Sequence, residues 1–416
     1  MIKIWWDFAR KNAKRRCWLE NGLPAKIREK MKVRMYNVGF GDCFCLRDRK
    51  KSLLVDFGTN NSRIEGRPRK EIFDVIISDL STINCKNLLL THFHMDHLSG
   101  LLYMMKNKDS SFDFGKIYLP DVFSKPQMSR TLVLLLLADL VKDSCLPSRQ
   151  VSLFALVDAL LGKGQRVELL HRGSLFEDKY QALWPDTDVI QRETDVVYDK
   201  ICEDETRALV METLREFAEK LRRIIWSMTE EAQALSEEEQ EKISLAYVYD
   251  RAFRKIKAMP GFQELLSYLN ENKVNLRQFK HKISIVFQNA RDGELNLLFT
   301  GDAQPEHMQM IAQDYDGTLP LYEHYWCIKV PHHGTQEHFF DFSAYEPENM
   351  LISNGIHYAN SKKQSKELRT SPLYGGLFYI PDTHMYCSNC DCCDSYENGC
   401  SCKEADVISP AYYKDI

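Results

Sequence analysis

The sequence predicts an α/β fold interrupted by a mainly helical insertion and closed by a Cys-rich tail. Two observations carry this. Short β-rich runs that end in Gly, Asp or His occur in two blocks, and a long stretch of helical periodicity separates them. The composition agrees with a folded chain. Of 416 residues, 44% are hydrophobic and 27% charged, enough apolar material for a sizeable core and far from a disordered or collagen-like sequence. A net charge of -4 excludes a chain-wide basic field, so electrostatics alone do not name a substrate.

Residues 1–32 read as a basic N-terminal extension. The first 35 residues hold eleven Lys/Arg against three Asp/Glu, and Trp5, Trp6 and Trp18 are interleaved with Lys11, Lys14, Arg15 and Arg16. Such an arm could grip a nucleic-acid strand by charge and stacking. A solvated helix face, with the aromatics packed on the core, is the plainer reading and is preferred. The arm has no continuous apolar stretch before a small-residue cleavage site, so no signal peptide is expected.

Residues 33–120 form the first β-rich block: KVRMYNVGFGDCFCLRD, KSLLVDFGTN and CKNLLLTHFHMDH. Gly39 and Gly41 bracket a tight turn that ends on Asp42. Residues 121–278 read as the insertion. Leu132 to Leu137 is too short an apolar run for a bilayer span, which needs about 20 residues, so it reads as a buried helix. Leu214, Phe217, Leu221 and Ile225 make one apolar stripe, and EEAQALSEEEQEK an acidic solvent face. Only YQALWPD reads as a strand there. The second β-rich block, 279–381, contains HKISIVFQ, LNLLFTGD, WCIKVPHHGT and MLISNG.

One string dominates the chemistry. THFHMDHLSG places His92, His94, Asp96 and His97 within six positions. On an extended segment, residues two apart point the same way, so His92 and His94 can grip one cation while Asp96 and His97 face a second. Imidazole nitrogen and carboxylate oxygen are ordinary zinc ligands. Two later strand ends add what a pair of cations needs: Asp302 from LLFTGD, and His332 and His333 from IKVPHHGT.

HFHMDH, preceded by LLVDFG and followed by LLFTGD and VPHHGT, resembles the metallo-β-lactamase superfamily. VGFGDC resembles the VG-x-GD turn of its ComEC-like branch. The resemblance implies an αββα sandwich with the site along one edge. It implies His92 and His94 on the first metal, Asp96 and His97 on the second, Asp302 bridging them, and one of His332 and His333 completing the second site. His333 is the preferred ligand, which leaves His332 for substrate or proton traffic. The third ligand of the first metal falls at His281, where the branch usually has an Asn-x-x-Ser-led strand. Asp56 in LLVDFG, with Asp42 beside it, would orient the ligating histidines. After ISNG the chain departs from the branch pattern, and His357 would line the groove. His171, His307, His324, His338 and His384 have no motif around them and read as surface or satisfied core histidines.

The resemblance implies a hydrolase with two divalent metal ions, Zn or Mn, whose bridging hydroxide attacks phosphorus or a carbonyl. Asp96, Asp302 and His332 are the expected catalytic groups. A phosphodiesterase or nuclease acting on a phosphodiester, with nucleic acid as a candidate, is the first expectation. A small-phosphoester or cyclic-nucleotide hydrolase comes next, with lactam or thioester cleavage more distant. An accessory or regulatory subunit that contacts a protein partner through the helical insertion is the alternative from another class. No membrane span is read, and the chain is expected to be cytoplasmic. In the tail, 382–416, Cys387, Cys390, Cys392, Cys393, Cys400 and Cys402 crowd together; a further structural Zn, disulfides and free thiols all remain open.

Overall fold

The computed structural model describes residues 31–48, 51–64, 66–107, 112–142, 152–233, 253–354, 380–388, 406–407 and 413–416. Nearly all of the basic extension lies outside these residues, as do His357 and five of the six tail cysteines (Cys390, Cys392, Cys393, Cys400 and Cys402).

The first block supplies β1 (Met31–Tyr36), β2 (Phe44–Asp48), β3 (Lys51–Val55), a small hairpin of β4 (Arg63–Ile64) and β5 (Arg67–Pro68), β6 (Asn87–Leu89) and β7 (Lys116–Pro120). The insertion supplies β8 (Arg166–Leu170), β9 (Leu175–Phe176) and β10 (Tyr180–Trp184). The second block supplies β11 (Val286–Asn289), β12 (Leu297–Phe299), β13 (Cys327–Lys329) and β14 (Asn349–Ile352). The last segment adds β15 (His384–Cys387), β16 (Asp406–Val407) and β17 (Tyr413–Asp415). One sheet runs β17-β1-β2-β3-β6-β7-β8 and the other β16-β15-β14-β13-β12-β11-β10-β9.

Period-two patterning explains how the sheets stack. In β1 to β3, Val33, Met35, Phe44, Leu46, Leu53 and Val55 pack into one apolar layer with Ala182, Phe287, Leu297, Phe299, Cys327 and Leu351 of the opposite sheet. Phe44 meets Phe299 edge-on across it, at 5.6 Å between ring centroids. The alternate residues face helices. Cys45, Leu54 and Leu88 join Ile72, Phe73, Ile76 and Leu80 of α1 (Arg69–Thr82), and α2 (Met95–Lys106) follows the histidine loop. The result is a sheet-on-sheet sandwich with helices outside, the α/β fold with a helical insertion that the sequence predicts.

The insertion is not one block, however. Helices α3 (Ser129–Lys142) and α4 (Ser152–Lys163) precede β8, which closes the edge of the first sheet. The β9–β10 hairpin then opens the second sheet. Only afterwards come α5 (Thr187–Ile201), α6 (Glu205–Ser227), α7 (Pro260–Glu271) and α8 (Arg277–Lys282). RVELL is a short edge strand between helical segments, and its pairing with β7 is what makes it a strand. In α6, capped by Asp204, the stripe buries Leu214, Leu221 and Ile225 with Val210 and Met211, and Phe217 sits at its margin. The last segment also departs from a loop-like tail. Helix α9 (Pro305–Ala312) covers the second sheet, β15 extends that sheet beside β14, and β17 pairs with β1. Arg34 locks this closure by gripping Asp415 at 2.6 and 2.9 Å and Asp79 at 2.9 and 2.7 Å. No described helix is long and apolar enough to cross a membrane.

Candidate metal centre

The chemistry-bearing residues sit where strands end. Asp56 follows β3, Thr91 and His92 follow β6, Asp302 follows β12, and His332 and His333 follow β13. These strands run parallel to their neighbours on this side, so their C-terminal ends open on one edge of the sandwich. Close backbone packing brings the loops together. A Cβ on Gly41 would lie 2.3 Å from the Gly58 carbonyl oxygen and 2.7 Å from that of Asp96, so the VGFGDC turn needs glycine to reach the histidine loop. There the Asp42 N–H donates to the Asp96 carbonyl at 3.0 Å. His332 and His333 both adopt left-handed backbone (φ 43° and 58°), which turns adjacent side chains into one cavity.

Hydrogen bonds on one side of each ring fix which nitrogen faces inward. Asp56 accepts from the Thr91 N–H and hydroxyl, both at 2.8 Å, and from His97 Nδ1 at 2.8 Å. The Thr91 hydroxyl, having donated to Asp56, receives His92 Nδ1 at 3.1 Å. His333 Nδ1 donates to the Ser353 carbonyl at 2.8 Å and lies 3.1 Å from Asp42. This turns Nε2 of each ring the other way: that of His92 lies 2.9 Å from His94 Nδ1, and those of His97 and His333 are buried without a hydrogen-bond partner.

Among the described residues the candidate ligand atoms fall into four overlapping groups, among them His281, His332 and His338, and Asp42, Asp56 and His97; the other two hold the ligands that the sequence predicts. His92, His94, His281 and Asp302 offer donor atoms that all lie within 4.8 Å of one another, and so do Asp96, His97 and His333. Asp302 Oδ2 reaches both. It lies 3.5 Å from His92 Nε2, 3.9 Å from His281 Nε2 and 3.2 Å from His97 Nε2. Donors about 2.1 Å from a shared tetrahedral ion are roughly 3.4 Å apart, so this spacing fits zinc-like coordination. His333 Nε2 is 3.6 Å from Asp96 Oδ2, which also accepts from the exposed Asn60 at 2.9 Å. Both carboxylate oxygens of Asp302, and Nε2 of His97, His281 and His333, are buried without a hydrogen-bond partner. Buried polar atoms are rarely left so, and here they all point at the same space.

Charge makes the same demand. Asp42, Asp56, Asp96 and Asp302 are buried around one ammonium, Lys329, which lies 2.5 Å from Asp42 and 3.7 Å from Asp302. Burial would raise the Asp302 carboxyl, but His97, His332 and His92 hold it well below the usual carboxylate range. Burial pushes His92, His94 and His332 well below an ordinary imidazole, and His281 to about 4, so these rings are neutral at pH 7. Burial opposes charge on His97 and His333 too, yet the carboxylates raise both, His333 to about 9. The second group therefore attracts positive charge strongly, protons or a cation alike.

Three residues that the sequence reading left out belong here. Lys329 sits inside the apolar run CIKV, where a buried lysine is itself a signal. Ser284 accepts the Asp302 N–H at 2.8 Å. His338, read as a surface or core histidine, instead faces the site: its Nε2 lies 3.3 Å from His281 Nδ1, and its ring is 3.9 Å from that of His332. No motif surrounds it, so only the fold reveals it. His307 stacks on Trp184 away from the site, His171 pairs with the buried Asp121, His324 pairs with Glu348, and His384 lies against Tyr386. Cys387 is buried on β15.

A profile of the family described as the metallo-beta-lactamase superfamily matches residues 36–110, the stretch that holds the VGFGDC turn and the histidine loop. The matched stretch supplies β2 to β6 and the histidine loop. Among solved structures it is similar to the metallo-beta-lactamase fold protein YhfI from Bacillus subtilis, at 8% identity and a TM-score of 0.36, over 86% of this chain and 96% of that one. No curated protein matches. The histidine and aspartate groups above are the candidate positions for metal ions among the described residues.

Proposed function

We propose that this protein is a binuclear metal-dependent hydrolase of the ComEC-like branch, acting on phosphodiesters, with a nucleic-acid strand as the leading substrate. The observation that carries the reading is Asp302: one buried carboxylate without a hydrogen-bond partner stands between two donor groups. In this reading His92, His94 and His281 hold one ion, Asp96, His97 and His333 the other, and Asp302 both. Zn or Mn suits a mixed nitrogen and oxygen set. When bound, the pair of cations supplies an activated water and neutralises charge on both the attacking and the leaving oxygen, which suits a phosphodiester.

The chain's own groups do the rest. Asp56 and Thr91 lock the rings of His97 and His92. Lys329 holds Asp42 and, through the Gly301 carbonyl at 2.8 Å, the turn that carries Asp302. His332 is half-buried at the rim of the site. Its Nε2 lies 3.7 Å from Asp302, and Thr335 fixes the ring through Nδ1 at 2.7 Å. As a neutral ring it is placed to hydrogen-bond a phosphoryl oxygen. The VGFGDC turn and VPHHGT support the branch assignment, and a cytoplasmic site of action belongs to the same reading.

The test is a panel run on Zn- or Mn-reconstituted protein: bis-p-nitrophenyl phosphate, linear and circular single- and double-stranded nucleic acids, cyclic nucleotides and nitrocefin. Phosphodiester turnover that Asp302→Asn abolishes is the expected result. Turnover of nitrocefin alone would overturn the phosphorus chemistry.

A further inference from the structure

His281 is the one donor in the two groups that the sandwich does not supply. It lies on α8, which runs from the end of the helical insertion into the second block, between two lysines that pair with different helices of the insertion. Lys280 is buried and pairs with Asp139 of α3. Lys282 pairs with Glu193 of α5, whose other carboxylate oxygen lies 3.3 Å from His307 Nε2. The Trp184 indole N–H donates to the Lys282 carbonyl at 2.6 Å, and Trp184 stacks on His307 at 4.4 Å. Helices α3 and α5 are themselves tied together by Arg130 to Asp195 at 2.7 Å and by Thr131 to Thr194 at 3.1 Å. Residues next to one another on a helix project about 100° apart. Two clamps on either side of His281 therefore fix the rotation of α8, and with it the direction of the imidazole between them.

We infer that the helical insertion sets the occupancy of one metal position, the one built by His92, His94, His281 and Asp302, through the Lys280–Asp139 and Lys282–Glu193 clamps. The other position, built by Asp96, His97, His333 and Asp302, is independent of them. Glu193, Asp139, Lys280 and Lys282 are positioning residues. The inference rests on the binuclear reading and gives the insertion a role in it. A rotation of α8 moves His281 Nε2 away from Asp302 and leaves the deeper group intact. The insertion helices thereby become the lever through which any change of insertion conformation reaches the site.

The test is the zinc content per chain after exhaustive dialysis, together with competition against a chromophoric chelator. Thermal melting confirms that each variant is folded. Glu193→Gln removes a clamp at a partly exposed position and is the primary variant, with Lys282→Met and Asp139→Asn alongside. Outer partners of metal-holding histidines are worth about 10–100-fold in affinity. Glu193→Gln and Lys282→Met are therefore expected to weaken one zinc by about that factor and leave the other unchanged, while Lys282→Arg, which keeps the clamp, behaves as the wild type. A double-mutant comparison assigns the position. Glu193→Gln is expected to add no loss on top of His281→Ala, and its full loss on top of Asp96→Asn. Unchanged zinc affinity in Glu193→Gln, Lys282→Met and Asp139→Asn would overturn the inference and leave the binuclear reading standing. Failure of the wild type to hold zinc, or indifference to Asp302→Asn, would overturn that reading itself.

Discussion

The two donor groups share Asp302 but differ in how they are supported. Asp96 and His97 stand in the first turn of α2, and His333 in the turn that follows β13. His97 and His333 are fully buried, and each has its outer nitrogen tied to a carboxylate or a backbone carbonyl. His94 and His281 lie nearer the rim, and His281 leans on another imidazole, His338, and on a helix from outside the sandwich. The same donor chemistry is thus held rigidly on one side and conditionally on the other. A site built this way has one position that folding alone completes and one that further structure can adjust.

The largest expected effect comes from the residue common to both halves. Asp302→Asn keeps the shape of the side chain but removes the charge that both groups face. We expect phosphodiesterase activity to fall at least ~1000-fold, of the order seen when an electrostatic group essential to the transition state is removed. Metal content is expected to fall with it, measured by elemental analysis; equal retention of both ions would break the shared-carboxylate geometry.

Next in size is Asp56→Asn, which acts mainly on the rigid half and reaches the other only through Thr91 and His92. Asp56 orients His97 directly and His92 through Thr91. Loss of its charge is expected to weaken metal binding about 10–100-fold, with the His97 side affected more than the His94 side. Chelator competition on the folded variant checks this. A loss confined to the His92–His94–His281 position would invert the comparison.

Thr335→Val sharpens the conditional half. The hydroxyl holds His332 Nδ1 at 2.7 Å and lies 3.3 Å from His338 Nδ1. Its removal costs about one hydrogen bond, roughly fivefold in rate. A drop in kcat with unchanged metal content, rescued by Thr335→Ser, is the expected pattern.

The contrast between the halves also explains what could be read in advance. His92, His94, Asp96 and His97 are legible because one short segment carries them. Asp302 and His333 are legible because strands with apolar texture end on them. Local signals of this kind survive in one dimension. His338, Lys329 and the edge strand β8 do not, because their meaning lies in neighbours far along the chain: His281, Asp42 and β7 respectively. The strands after Asp382 were hidden similarly, since β15 and β17 are short and take their pairing from β14 and β1. His281 is an intermediate case. Its position before a strand was a visible cue, but the clamps that aim it appear only once α3 and α5 are in place.

The smallest expected effect is a pH dependence of the clamp itself. Burial pushes the Glu193 carboxyl up, but His307 and Lys282 more than offset this and bring it from an ordinary 4.5 down to about 2. A carboxyl with a depressed folded-state pKa binds its proton more readily when unfolded. Its contribution to stability is therefore complete above about pH 4.5 and is lost as the pH falls toward 2. Other buried carboxylates are also protonated across this range, so the comparison must be between the wild type and Glu193→Gln rather than within either. The melting temperature of the wild type should exceed that of the variant by about 1 °C near neutrality, which is what roughly 1 kcal/mol yields in a chain of this size. The gap should close as the pH falls below 4.5. A gap that persists unchanged to pH 3 would mean that Glu193 stabilises α5 by packing rather than by its charge, and that the hold on Lys282 is weaker than the geometry indicates.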